Sequence, residues 1–307
     1  MKLLVTGAQG FLGRALMAVD APEVERIGSD RTVEPVGGVP CLAAELTDRG
    51  EVARLLDRVR PDWVIHTAAL TGVDLCETER DLARAVNLEA VGHLVEACRR
   101  TGAGLVQLST DYVFDGRGGP YREGDPSAPL SHYGQLKLES EGLVLKGLER
   151  GLVVRTLWLY GYLPGARPNF VQWVLDALSQ GRRLPAFSDQ WGNPTYVHDL
   201  ASALVRLCGL DARGLYHLGG ATFMTRYELA VELARFFAWD SGLVDPVPTA
   251  SAGLAAARPL RSGLCTEAVE RLLGRRLLSF REGLERMAGQ EVFRRDCARL
   301  IGPPAGG

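Results

Sequence analysis

Five residues that read as a buried strand, Lys2–Thr6, run straight into Gly7-Ala8-Gln9-Gly10-Phe11-Leu12-Gly13, and a helical pattern follows over Phe11–Ala18. That order constrains the fold more than any other feature of the chain. A G-x-x-G-x-x-G turn between strand and helix lets backbone approach a pyrophosphate, and the helix N-terminus supplies unpaired N–H groups and positive dipole potential. The pattern points to dinucleotide binding through Gly7, Gln9, Gly10, Phe11, Leu12 and Gly13.

The rest of the first half supports this reading. Short apolar runs at Val24–Ile27, Trp63–Thr67, Leu105–Leu108 and Leu152–Thr156 alternate with amphipathic stretches at Glu51–Val59, Leu82–Arg100 and Gly134–Arg150. Asp48 is positioned to cap the first of these, and Leu82, Val86, Ala90 and Leu94 recur at helical spacing in the second. Alternation of this kind predicts βαβ units, hence an α/β, Rossmann-type doubly wound parallel sheet. The second half reads as mainly helical: Phe170–Leu178, Leu200–Leu207, Tyr227–Trp239, Glu267–Leu273 and Glu282–Met287, with one short strand at Leu215–Leu218. Capping boxes are expected at Thr225 with Glu228 and at Ser279 with Glu282. We therefore expect a dinucleotide-binding domain over residues 1–157, rejoined by about 187–220. A smaller helical substrate domain would take residues 158–186 and 221–300, with a frayed tail over 301–307.

Composition excludes other classes. A net charge of −2 over 307 residues argues against nucleic-acid binding. No apolar run approaches the ~18 residues of a membrane span, and Leu3-Leu4-Val5 is too short for a secretory leader. A cytoplasmic protein is expected. The six cysteines lie apart with no C-x-x-C pair, which suits small core residues better than a metal site or disulfides.

Two places in the sequence carry chemistry. Ser29-Asp30-Arg31 ends the second strand, where an acid would bond a ribose 2′-hydroxyl and an arginine a 2′-phosphate. Arg31 makes NADP(H) the favoured cofactor over NAD(H). Tyr133 and Lys137 stand four apart at a helix start, so both project from one face. Only three of the 35 basic residues are lysine, so this spacing is informative. A nearby ammonium is expected to lower the phenol pKa toward working pH, fitting the tyrosine to hand a proton to a carbonyl.

With these residues in view, the chain resembles the extended short-chain dehydrogenase/reductase superfamily, and within it the dTDP-4-dehydrorhamnose reductase family. The likeness rests on Ala68-Ala69…Thr71-x-Val73-Asp74-x-x-Glu77, Val86-Asn87, Ser109-Thr110-Asp111-Tyr112-Val113-Phe114-Asp115-Gly116 and Tyr133-Gly134-x-x-Lys137-Leu138-x-x-Glu141. It continues through Arg155-Thr156-x-Trp158-x-Tyr160-Gly161 and Asp189-Gln190-x-Gly192-x-Pro194-Thr195. The resemblance implies a catalytic set of Thr110, Tyr133 and Lys137, with Lys137 also gripping the nicotinamide ribose. It implies further cofactor contacts from Glu45, Leu46, Ala68, Ala69, Thr71 and Asn87. Substrate contacts are implied for Val73, Asp111, Tyr112, Val113, Trp158, Asn169, Gln190 and Pro194. Asp111 and Glu77 read as scaffold rather than catalytic groups. Asn87 is open to two readings, a proton-relay or structural role and an amide satisfied by nearby backbone. Arg167, Arg182, Arg183 and Arg258 are candidate partners for the substrate's phosphates. A nucleotide-sugar substrate is implied, and a homodimer is compatible with the resemblance.

The chain departs from the family pattern at three points: His66 where an asparagine is usual, Glu45 for an aspartate, and Cys265 for another. The same fold and S-T-D-Y-V-F-D-G segment also occur in the regulatory β subunit of methionine adenosyltransferase, and reductases or epimerases of other nucleotide sugars share the framework. These alternatives stay open on sequence alone.

Overall fold

In the computed structural model, which describes residues 1–32 and 36–301, seven parallel strands form one sheet. They are β1 (Lys2–Thr6), β2 (Glu25–Asp30), β3 (Cys41–Ala43), β4 (Trp63–His66), β5 (Gly104–Thr110), β6 (Gly151–Thr156) and β7 (Gly214–His217), in the order β7-β6-β5-β4-β1-β2-β3. The central strands are apolar on both faces because helices cover both. Leu3, Val5, Val106 and Val154 pack toward the helices Phe11–Met17 and Val197–Gly209. Leu4, Val64, Leu105 and Val153 pack toward Arg49–Val59 and Ala90–Thr101.

The order of the strands reverses direction at β1, which lies between β2 and β4. A crevice opens at such a switch point, beyond the carboxyl ends of the strands. Thr6 and His66 are register partners at its floor. Thr110 and Thr156 are paired in the same way on β5 and β6.

A separate apolar cluster builds the second half of the molecule. The helices Phe170–Ser179, Arg226–Phe236 and Phe280–Gly289 share Val174, Leu178, Leu229, Leu233, Leu284 and Met287, with Leu184 and Val244 closing one side. Both expected capping boxes are present, and Asn169 with Gln172 forms a third. Among the described residues no helix is long and apolar enough to cross a membrane.

The elements differ from expectation in several places, among them the following. β3 is a three-residue edge strand ordered by pairing with β2, and so short a run carries no periodicity of its own. The helix Glu291–Ile301 was not anticipated. The single helix expected over Leu82–Arg100 is divided into Arg80–Arg84, a π turn at Ala85–Glu89, and Ala90–Thr101. A π turn inserts a residue and rotates the helix face before it. Leu82 is therefore 50% exposed, while Ala90 and Leu94 are buried as the spacing requires. Of the expected tail, 302–307 lies outside the described residues.

Candidate active site

The glycine turn is built by close backbone approach. Gly7 has φ +74°, and a Cβ there would lie 2.6 Å from the Ala68 nitrogen. At Gly13 a Cβ would stand 2.1 Å from the Gly7 carbonyl, so the helix can sit on the turn only with glycine. Gly10 is the N-cap and, among the described residues, no side chain caps the helix, leaving its first-turn N–H groups without an intrahelical partner. Thr67 donates from Oγ1 to the Thr6 carbonyl at 2.8 Å, bringing the Thr67-Ala68-Ala69 segment against the turn. The buried Ser29 Oγ, at the end of β2 beside this turn, has no hydrogen-bond partner among the described residues. Free N–H groups, a Cβ-free approach and an orphaned hydroxyl together fit a dinucleotide phosphate.

The Asp30 carboxylate accepts from the Gln9 N–H at 3.1 Å and the Arg31 N–H at 2.8 Å, so it braces the glycine turn. Arg31 is exposed. Glu45 accepts from the Thr47 N–H at 3.0 Å and its hydroxyl at 2.8 Å, which hold its carboxyl below the usual range, with the Arg31 guanidinium adding to this. Arg31 is thus exposed beside Glu45, while Asp30 is engaged by backbone. Leu46 packs against the neighbouring core, its carbonyl 3.1 Å from His93 Nδ1.

Asn87, on the π turn, holds Leu70 at two points: its Oδ1 accepts from the Leu70 N–H at 2.8 Å and its Nδ2 donates to the Leu70 carbonyl at 2.9 Å. The amide fixes the loop after β4. Glu77 works similarly, accepting from the His132 N–H at 2.7 Å at the start of the helix His132–Gly147.

That helix carries Tyr133 and Lys137, both buried. Thr110, at the end of β5, stands near Tyr133 and donates to Asp111 at 3.1 Å. The phenol pKa is not lowered as the sequence suggested. Burial raises it, with the Asp111 carboxyl adding to the effect and the nearby Thr110 side chain opposing it. Lys137 is itself buried, which pulls its pKa down to about 8, while Glu141 opposes the fall. Desolvation of both groups thus outweighs the expected attraction between ammonium and phenolate. His66 is held by Thr6 Oγ1 at 2.8 Å from its Nδ1, and burial, with Lys137 nearby, depresses it to about 3, so it stays neutral.

Beyond the strand ends lies a cavity of about 410 Å³ lined by Thr71, Trp158, Tyr160, Phe170 and Arg226 among others. Trp158 has φ +47°, a strained conformation for a residue with a side chain, and the Arg226 guanidinium lies 4.2 Å from its ring centre. Gln190 accepts from Arg226 Nε at 3.1 Å. Tyr112 meets Tyr133 edge to face at 5.8 Å, and Val73 packs with both. Asp111 is buried and accepts from Ser262, and burial raises its pKa.

Other residues proposed from sequence lie elsewhere. The Val113 side chain is sealed in a cluster with Phe114, Leu157 and Leu264. Asn169 is spent on the N-cap of its helix and on the Gly161 carbonyl at 2.9 Å. Pro194 is buried, its carbonyl against Gly220. Among the arginines, Arg182 and Arg183 are exposed and paired with Asp176 and Asp245, and Arg167 is exposed. Arg258 pairs with Asp74 at 2.6 Å and lies 6.0 Å from the Tyr112 ring centre. Sequence reasoning missed Arg226, whose only local mark is its place after the capping residue Thr225.

A glycine turn at the switch point of a parallel sheet, with Thr110, Tyr133 and Lys137 gathered at the strand ends, defines an extended short-chain dehydrogenase/reductase. The chain belongs to the family described as the RmlD substrate binding domain, whose model matches residues 1–292. It is 39% identical over 268 residues to a dTDP-4-dehydrorhamnose reductase of Streptomyces griseus, covering 85% of this chain and 84% of that one. A dTDP-4-dehydrorhamnose reductase of Salmonella typhimurium is 33% identical over 305 residues, 94% of this chain and 97% of that one. Among solved structures, the dTDP-4-dehydrorhamnose reductase from Bacillus anthracis in complex with NADP superposes with a TM-score of 0.84 at 33% identity. It covers 93% of this chain and 98% of that chain.

Proposed function

We propose that the protein is an NADP(H)-dependent oxidoreductase that reduces the C4 keto group of a nucleotide-linked deoxysugar, dTDP-4-dehydro-L-rhamnose, to give dTDP-L-rhamnose. The observation that carries this reading is the gathering of Thr110, at the end of β5, with the buried Tyr133 and Lys137, one turn apart on the same helix, at the mouth of the switch-point crevice. The glycine turn, Ala68, Ala69 and Lys137 would hold the dinucleotide, and Arg31 its 2′-phosphate. When bound, the reduced nicotinamide supplies the hydride. Thr110 and Tyr133 donate hydrogen bonds to the keto oxygen and polarise it. Burial keeps Tyr133 protonated at neutral pH, so a proton is ready at its oxygen when the substrate oxygen becomes an alkoxide. The Lys137 ammonium then stabilises the charge left on the Tyr133 oxygen. The substrate side would be built from residues 158–186 and 221–300.

The relatives named as reductases favour this reading over a regulatory subunit, a choice the Thr110–Tyr133–Lys137 set does not itself make. We take the enzyme to work in the cytoplasm, with a homodimer as the assembly to test by light scattering. The reading itself is tested by mixing the protein with NADPH and dTDP-4-dehydro-L-rhamnose and following the absorbance of the reduced cofactor. Oxidation that depends on the keto sugar is expected. Its absence, at saturating concentrations of both, overturns the assignment.

A further inference from the structure

Arg226 is a charged side chain inside the cavity that nothing so far has employed. It is the first residue of the helix Arg226–Phe236, half-buried, with its guanidinium 4.2 Å from the Trp158 ring centre and 5.0 Å from that of Phe170. Its one side-chain hydrogen bond among the described residues is from Nε to Gln190 Oε1, which fixes the plane of the fork and leaves both terminal nitrogens unspent. No carboxylate lies within ion-pair distance of it among the described residues. The acid that acts on it is Asp111, which is already bonded by Thr110 and Ser262. The nearby cation Arg258 is neutralised by Asp74.

A half-buried guanidinium stacked on aromatic rings, with no carboxylate to pair it among the described residues, is completed by an anion. A planar fork with two free ends suits a phosphate group. We propose that Arg226 grips the diphosphate of the nucleotide-linked substrate, with Gln190, Trp158 and Phe170 holding the fork in place. This rests on the reading of the substrate as a nucleoside diphosphate sugar. It also replaces Arg182 and Arg183, whose exposed ion pairs point to surface roles.

The test is calorimetric, with thymidine diphosphate and thymidine as probes and Arg226→Met as a variant that keeps the apolar stem. The wild type is expected to bind the diphosphate far better than the nucleoside. The variant should lose about 30-fold or more in diphosphate affinity, with thymidine unchanged, as expected for losing a charged hydrogen-bond partner. Arg226→Lys should recover part of the loss, and NADPH affinity and the melting temperature guard against misfolding. Diphosphate affinity within threefold of wild type in Arg226→Met overturns the proposal. So does a wild type with no preference for diphosphate over nucleoside, or a loss confined to NADPH. A wild type that shows the preference but oxidises no NADPH with the keto sugar overturns the reductase reading and leaves this assignment standing.

Discussion

Arg155 on β6 meets Glu141 on the catalytic helix through two hydrogen bonds, 2.9 Å from Nε and 2.7 Å from Nη2, and both side chains are only 4% exposed. Glu141 lies one turn beyond Lys137 and also accepts from Ser109. The pair therefore locks the helix to the strand whose neighbour carries Thr110. Removing one member strands the other charge in the interior. Glu141→Ala is expected to cost about 3–5 kcal/mol in chemical denaturation, whereas Glu141→Leu with Arg155→Leu should recover more than half of it. If the double variant is as unstable as the single, packing rather than charge sets the cost.

Lys137 gives the enzyme a pH signature. Its pKa is lowered by burial to about 8 from an ordinary 10.5, so the rate should fall as pH rises through about 8 and the ammonium is lost. Stability moves the other way. Between about 8 and 10.5 the unfolded chain binds the extra proton, so this group's contribution to stability rises with pH across that window. Rate profiles and melting curves taken over the same buffers separate the two effects, and Lys137→Met should abolish both.

Tyr133→Phe removes the proton donor and leaves the ring and its contact with Tyr112 in place. A loss of about 10²–10⁴-fold in kcat is expected, with the Kd for NADPH little changed. Undiminished turnover would remove Tyr133 from the chemistry and leave Thr110 as the donor to examine.

Arg31 is exposed while Asp30 is tied to the Gln9 and Arg31 N–H groups. Arg31→Ala should therefore raise the KM for NADPH by about 10-fold or more, the scale of a lost charged hydrogen bond, and leave that for NADH nearly unchanged. Equal effects on both cofactors would place the 2′-phosphate elsewhere.

Asn87→Ala leaves the Leu70 N–H without its partner and the Leu70 carbonyl with only the Cys76 thiol at 3.4 Å, in a part-buried loop. A destabilisation of about 1–3 kcal/mol is expected, measured by denaturant melts, with a weakened NADPH affinity because Ala68 and Ala69 precede that anchor. Retained stability with a lost rate would instead make Asn87 part of the proton path.

The sequence by itself determined the framework. The glycine turn, the alternation of apolar runs with amphipathic stretches, and the Tyr133–Lys137 spacing are local patterns, and each survives into the fold because propensity, burial and backbone geometry act there over a few residues. What only tertiary structure decided depends on groups far apart in the chain. The π turn at Ala85–Glu89 carries Asn87, whose amide reaches back across the chain to Leu70. Glu141 is committed to Arg155, and the tyrosine and lysine pKa values are set by burial, a property of the whole packing rather than of the spacing between them. Arg226 is one of many arginines in the sequence. It becomes distinctive only when the fold places it between Trp158 and Phe170 with no carboxylate beside it among the described residues.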